Sequence, residues 1–136
     1  MNMAPLQSTH ITSACTLTWD VPDKILLLTI IGDYTPTAAT TVNAQIKAAL
    51  DEAQTPLILL IDAMQMARPY YFPQIRATQT FINHRKLYHL VVGTNDKLVM
   101  LAMMIIFNLS TCPLQNFDTL DRATTFARGL RLPSTP

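Results

Sequence analysis

Apolar and polar residues along this chain form three kinds of pattern, and each predicts a different element. Thr16-Leu17-Thr18-Trp19 alternates polar with apolar, as a half-buried strand does. Asp20 to Lys24, carrying Pro22, has turn chemistry, and Ile25 to Ile31 (ILLLTII), closed by Gly32, completes a hairpin. The second pattern is helical. Val42, Ile46, Ala49, Leu50 and Ala53 share one face while Asn43, Lys47 and Asp51 mark another. Thr35 is placed to cap this helix, and Pro36 sits where a missing N–H costs nothing. The third pattern is the unbroken apolar run. Leu57 to Ile61 (LILLI), between Pro56 and Asp62, predicts a strand covered on both faces, with Asp62 at its C-terminal end.

Further on, Tyr71, Ile75, Thr78 and Ile82, joined by Phe81, predict a second helix with Pro73 in its first turn. His89 to Val92, ended by Gly93, reads as a short strand, and Pro113 to Phe117 as a last one. Asp118-Thr119-Leu120-Asp121 resembles a capping box with Asp in place of Glu. It opens a helix carrying Leu120, Ala123, Thr124 and Ala127 on one side, with Gly129 as its C′ residue. A hairpin followed by alternating helices and strands predicts an α/β fold: a mixed, largely parallel sheet of about five strands with about four helices packed on it. Residues 1–13 are expected to form a flexible arm, 14–131 a single domain and 132–136 a flexible tail.

The longest apolar run is Leu98 to Leu109 (LVMLAMMIIFNL), broken only by Asn108. A membrane span needs about 20 residues, so this run predicts a short helix and no transmembrane segment. Thr94, Asn95 and Asp96 precede it as three candidate caps. Wound at about 100° per residue, it groups Leu98, Leu101, Ala102, Ile105 and Leu109 on one side and Met100, Met103, Met104 and Phe107 on the other. The aliphatic side is expected to face the sheet. The Met/Phe side then needs another cover: the rest of the chain, a second copy or a partner protein, or an apolar ligand or membrane surface.

Composition favours association. Apolar residues make up 49% of the chain and charged residues only 14%, and a surface so poor in charge tends to self-associate. A net charge of +1 with scattered Lys and Arg provides no track for a phosphate backbone, so nucleic acid is not an expected partner. The N-terminus lacks the basic and apolar regions of a signal peptide, which points to the cytoplasm. In that compartment Cys15 and Cys112 are expected to be small buried thiols rather than a disulfide.

Three segments carry a family resemblance: LILLIDAMQM, a buried strand ending in Asp; LVVGTNDKLVMLAMMIIFNL, a strand, loop and apolar helix; and NFDTLDRATTFARGL, a short strand feeding the last helix. Together with the element order, over about Thr16 to Leu130, the chain resembles the STAS-like domains (sulfate transporter and anti-sigma factor antagonist), especially their stand-alone SpoIIAA-like relatives. In the antagonists a Ser or Thr just after the Asp-bearing strand is phosphorylated. Here Asp62 matches, but Ala63, Met64, Gln65, Met66 and Ala67 follow it, with no hydroxyl among them. The resemblance therefore implies a non-enzymatic binding domain without the phospho-switch, and in the stand-alone relatives a role with apolar ligands or membranes.

Nothing in the sequence assembles catalysis. No serine lies in G-x-S-x-G, and the glycines Gly32, Gly93 and Gly129 each end an element instead of forming a phosphate loop. His84 and His89, five apart, have no third ligand at metal spacing. No cofactor, metal or catalytic residue is expected. The loops after the parallel strands carry a polar rim of Asp62, Arg68, Thr94, Asn95 and Asp96, with Arg68 placed to meet an anion, pair with Asp62 or remain in solvent. The expected function is protein–protein binding, with the chain itself or another protein as partner, through Met100, Met103, Met104 and Phe107. A carrier or sensor of a lipid or other apolar small molecule is the second reading.

Overall fold

The strands lie side by side in the order in which the chain makes them. A computed structural model of the chain describes residues 9–10, 14–107 and 112–133. Its strands are β1 (Thr9–His10), β2 (Cys15–Val21), β3 (Ile25–Gly32), β4 (Leu57–Met66), β5 (Leu87–Gly93) and β6 (Leu114–Phe117), in sheet order β1-β2-β3-β4-β5-β6. The first three are antiparallel neighbours, and β3 to β6 run parallel. The helices are α1 (Pro36–Glu52), α2 (Phe72–Thr78), α3 (Lys97–Phe107) and α4 (Leu120–Gly129).

This order decides where the helices go. Crossovers between parallel strands are right-handed, so three successive crossovers that advance in one direction put α1, α2 and α3 on the same face. Their buried side chains, from Val42, Ile46 and Leu50 to Ile75, Val99, Met103 and Ile106, form one core with Leu28, Leu59, Ile61, Leu90 and Val92. Of the described helices, the opposite face receives only α4, whose Ala123 and Ala127 pack on Ile25, Ile58, Leu60 and Val91. Small residues let α4 lie close to the sheet. Gly93 does the same at its N-terminus, where a Cβ would stand 3.1 Å from the Leu120 Cα and 3.3 Å from the Thr119 carbonyl oxygen. The C-terminal end is tied to the hairpin by Arg128, whose Nε and Nη2 donate to the Asp20 carboxylate at 3.0 and 2.9 Å.

Most expected elements are present, and the differences have local causes. The hairpin turn closes through Lys24 N–H to the Val21 carbonyl at 3.0 Å, with Asp23 at φ 62° after Pro22. Thr35 caps α1 by accepting from Ala38 N–H at 3.1 Å. In β4, however, the strand does not stop at Asp62. The Asp62 carboxylate accepts the Met64 N–H at 3.1 Å across a register shift, and pairing resumes with Ile31↔Gln65 and Gly32↔Met66. The second helix is shorter than its periodicity predicts: it ends at Thr78, and a 3-10 turn (Thr80–Asn83) takes over.

Gln79 makes that break because its side chain works elsewhere. It is buried, accepts from the Tyr34 hydroxyl at 2.7 Å and donates to the Ala39 carbonyl at 2.9 Å. In α4 the cap is Thr119, not Asp118, and its hydroxyl accepts from Arg122 N–H at 3.1 Å. Gly129 is the last helical residue instead of a left-handed C′ residue. Of the expected N-terminal arm, Thr9–His10 pairs with Leu17 and Thr16. Residues 1–8, 11–13 and 134–136, and with them most of the expected arm and tail, lie outside the described residues.

Candidate interaction surface

The segment before α3 holds most of the expected polar rim, and its main task is to start the helix. Asp96 Oδ1 accepts from Leu98 N–H at 2.8 Å and Val99 N–H at 3.1 Å, so of the three candidate caps Asp96 fills the role. Thr94 is buried and accepts the Asp96 N–H at 3.3 Å, while Asn95 is exposed. Arg68 pairs with Asp96 at 3.1 Å on the surface and makes no bond to Asp62. The Val99 N–H, aided by the Leu98 N–H and the Arg68 guanidinium, holds the Asp96 carboxyl below its usual range. A carboxylate thus already occupies the α3 N-terminus, the place an anionic ligand would take.

Along α3 the buried residues are Val99, Ala102, Met103, Ile106 and Phe107. Leu98, Leu101, Met104 and Ile105 are 51%, 49%, 47% and 43% exposed, and Met100 is half-buried. The helix is turned by about a quarter of a revolution from the arrangement expected from its sequence. Met103 and Phe107, expected on the outer face, belong to the core; Leu98, Leu101 and Ile105, expected against the sheet, face out. The cause is α2 and the turn after it. Phe107 packs against Phe81 with ring centroids 5.8 Å apart and planes tilted by 57°, and this aromatic anchor sets the phase of the helix. Leu109 lies outside the described residues. Tyr70 and Tyr71, near the Arg68–Asp96 pair in sequence, are both exposed.

The other candidate groups have separate occupations. His84 Nε2 lies 2.8 Å from Asp51 Oδ1 on the surface. His89 lies on β5 against α4, with its ring edge-on to Phe126 at 5.7 Å, and its Nε2 has no hydrogen-bond partner. No group of three or more His, Cys, Asp or Glu side chains converges among the described residues. Burial pushes the Cys112 thiol up to about 11, which leaves little thiolate for nucleophilic chemistry at neutral pH. An open groove of about 340 Å³ beside α4 is lined by Phe117, Asp121, Arg122, Thr125 and Phe126, so its charges include both signs.

Burial also lowers the pKa of His89 below its ordinary 6.5. The unfolded chain therefore binds more protons than the folded one as pH drops through 6.5. Stability is full above that value and declines below it, down through the depressed folded pKa. Urea denaturation should give a smaller unfolding free energy at pH 5 than at pH 7.5, and His89→Leu should reduce the difference. An equal pH dependence in the variant would assign the effect to another group.

These elements match a known architecture. A solved structure of an uncharacterized protein of the DUF3478 family from Shewanella loihica PV-4, described as having a SpoIIAA-like fold, superposes with a TM-score of 0.61 at 12% identity, over 93% of this chain and 98% of that one. The chain has a SpoIIAA-like fold. No family model matches the sequence, and no curated protein does. Within the SpoIIAA-like frame, Asp62 stands on a strand that runs on to Met66, and the helix that follows starts only at Phe72. No described helix is long and apolar enough to cross a membrane.

Sequence reasoning missed Leu98, Leu101 and Ile105 as surface residues. The signal was weak because Val99, Ala102, Met103 and Ile106 form an apolar stripe as regular as the one chosen. In a helix that is apolar all round, periodicity carries no phase. The neighbouring Phe81 decides it.

Proposed function

We propose that this chain is a non-enzymatic protein-interaction module that associates with a second copy through the outward side of α3. The observation that carries this reading is the cluster of Leu98, Leu101, Met104 and Ile105, four large apolar side chains within two turns of helix and each about half exposed. Single exposed apolar residues are ordinary, but a contiguous group with no charge inside it marks a contact surface. The absence of a hydroxyl from Ala63 to Ala67 supports association that is not controlled by phosphorylation there.

Covering the exposed half of these four side chains on both copies is worth about 6–12 kcal/mol in gross terms. Association itself costs about 4–15 kcal/mol. The helix face alone is therefore marginal, and a stable contact must extend beyond it.

The test is Leu101→Asp with Ile105→Asp, examined by size-exclusion chromatography with light scattering. The wild type is expected to exceed the 15.2 kDa of one chain at high concentration, and the variant to remain at one chain with its circular dichroism unchanged. Equal masses with intact folding would overturn the proposal. If the wild type alone also floated with phosphatidylcholine vesicles, the apolar-ligand reading would replace it.

A further inference from the structure

We infer that the second copy docks edge to edge on β6, so that two six-stranded sheets join into one and α3 packs beside its symmetry mate. This inference rests on the proposed use of α3 and adds the surface that completes it.

Three observations meet at this edge. First, β6 is the last strand of the sheet, and no described strand pairs with its outer side. Edge strands are usually blunted by charge, internal proline or a bulge. At four residues β6 is short, but Leu114-Gln115-Asn116-Phe117 contains neither charge nor proline, and its pairing with β5 has no register shift.

Second, the bonds to β5 leave specific groups free. Leu90 N–H donates to the Pro113 carbonyl and Thr94 N–H to the Phe117 carbonyl, both at 2.9 Å. Odd-numbered residues thus turn their main-chain groups toward β5. By the two-residue repeat of a strand, Leu114 and Asn116 turn theirs outward.

Third, the apolar side of α3 lies on the same flank. Phe107 points at Phe81, toward α2. Leu98 and Ile105 are about half a turn around the helix from Phe107, and therefore point away from α2, toward the β6 edge.

A second copy suits this surface better than any other partner. Antiparallel pairing of β6 with itself about a two-fold axis matches each outward donor with an acceptor, and a two-fold contact is self-complementary by construction. The same axis keeps α3 and its mate on one face. Because α3 is the crossover between β5 and β6, the two copies of α3 then stand about two strand spacings apart, or ~10 Å. That equals the distance at which helices pack side by side. The β6 strand carries no charge, the outward side of α3 carries only Lys97 in its first turn, and at a net charge of +1 two copies repel little.

Asn116→Pro removes one outward N–H while leaving the bonds to β5 intact, a substitution that edge strands tolerate. The Asn116 Oδ1 has no partner to lose. The variant is expected to be folded and to run at the mass of one chain, and in the wild type the Asn116 amide should exchange slowly at high concentration and at least tenfold faster after dilution or in Leu101→Asp/Ile105→Asp. A folded Asn116→Pro protein that keeps the dimer mass, or an Asn116 amide unprotected within a wild-type dimer, would overturn the edge contact while leaving the α3 proposal standing. A wild type that is a single chain at every concentration would overturn both. If Asn116→Pro fails to fold, the exchange measurement decides alone.

Discussion

Phe107→Ala should destabilise the fold by about 3–5 kcal/mol, whereas Leu101→Ala on the same helix should change stability by about 1 kcal/mol or less. The two residues are both large and apolar, but Phe107 is 3% exposed and Leu101 is 49% exposed. Removing the Phe107 ring opens a cavity against Phe81, which has no solvent-exposed surface and cannot follow the missing atoms. Removing Leu101 beyond Cβ deletes surface already half in water. Urea denaturation of both variants checks the contrast. A reversed order would mean that α3 is rotated back toward the face expected from its sequence, and the proposed contact would move to the Met/Phe side.

The second large effect is expected at Gln79. This side chain and Tyr34 are 1% and 2% exposed, and their mutual bond of 2.7 Å joins the segment after β3 to the break between α2 and the 3-10 turn. Burial pushes the Tyr34 hydroxyl well above its ordinary value, so it remains a donor that needs an acceptor. Gln79→Leu leaves that donor buried and unpaired, at a cost of about 1–3 kcal/mol. Tyr34→Phe added to Gln79→Leu should recover part of the loss because the orphaned hydroxyl is then gone. A double-mutant cycle measures the coupling, and additive effects would show that the bond contributes nothing specific.

Several elements could be read from the residues alone because their signals are local. The hairpin needs only alternation and Pro22-Asp23, and α1 needs only a capping Thr35 before an apolar stripe. Thr35 and Pro36 do what their chemistry predicts. Where expectation and structure part, a side chain serves a distant partner. Gln79 ends α2 because Tyr34 and Ala39, forty or more residues away, use its amide. Asp62 stays inside β4 because the end of β3 pairs beyond it. The polar rim was found residue by residue, but its main role, capping α3, depends on the turn that brings Asp96 over two amides.

What the sequence determined by itself is the α/β order, the capped start of α1 and the existence of an apolar helix too short to span a membrane. Once the sheet order β3-β4-β5-β6 is set, right-handed crossovers place α1, α2 and α3 on one face. Only the tertiary structure decided which side of α3 is left over. An apolar stripe fixes how a helix is turned only when the opposite side is polar, and here nothing on the helix penalised either orientation. The choice fell to a ring on another segment, Phe81, and to the close packing that would leave a void if Phe107 pointed elsewhere.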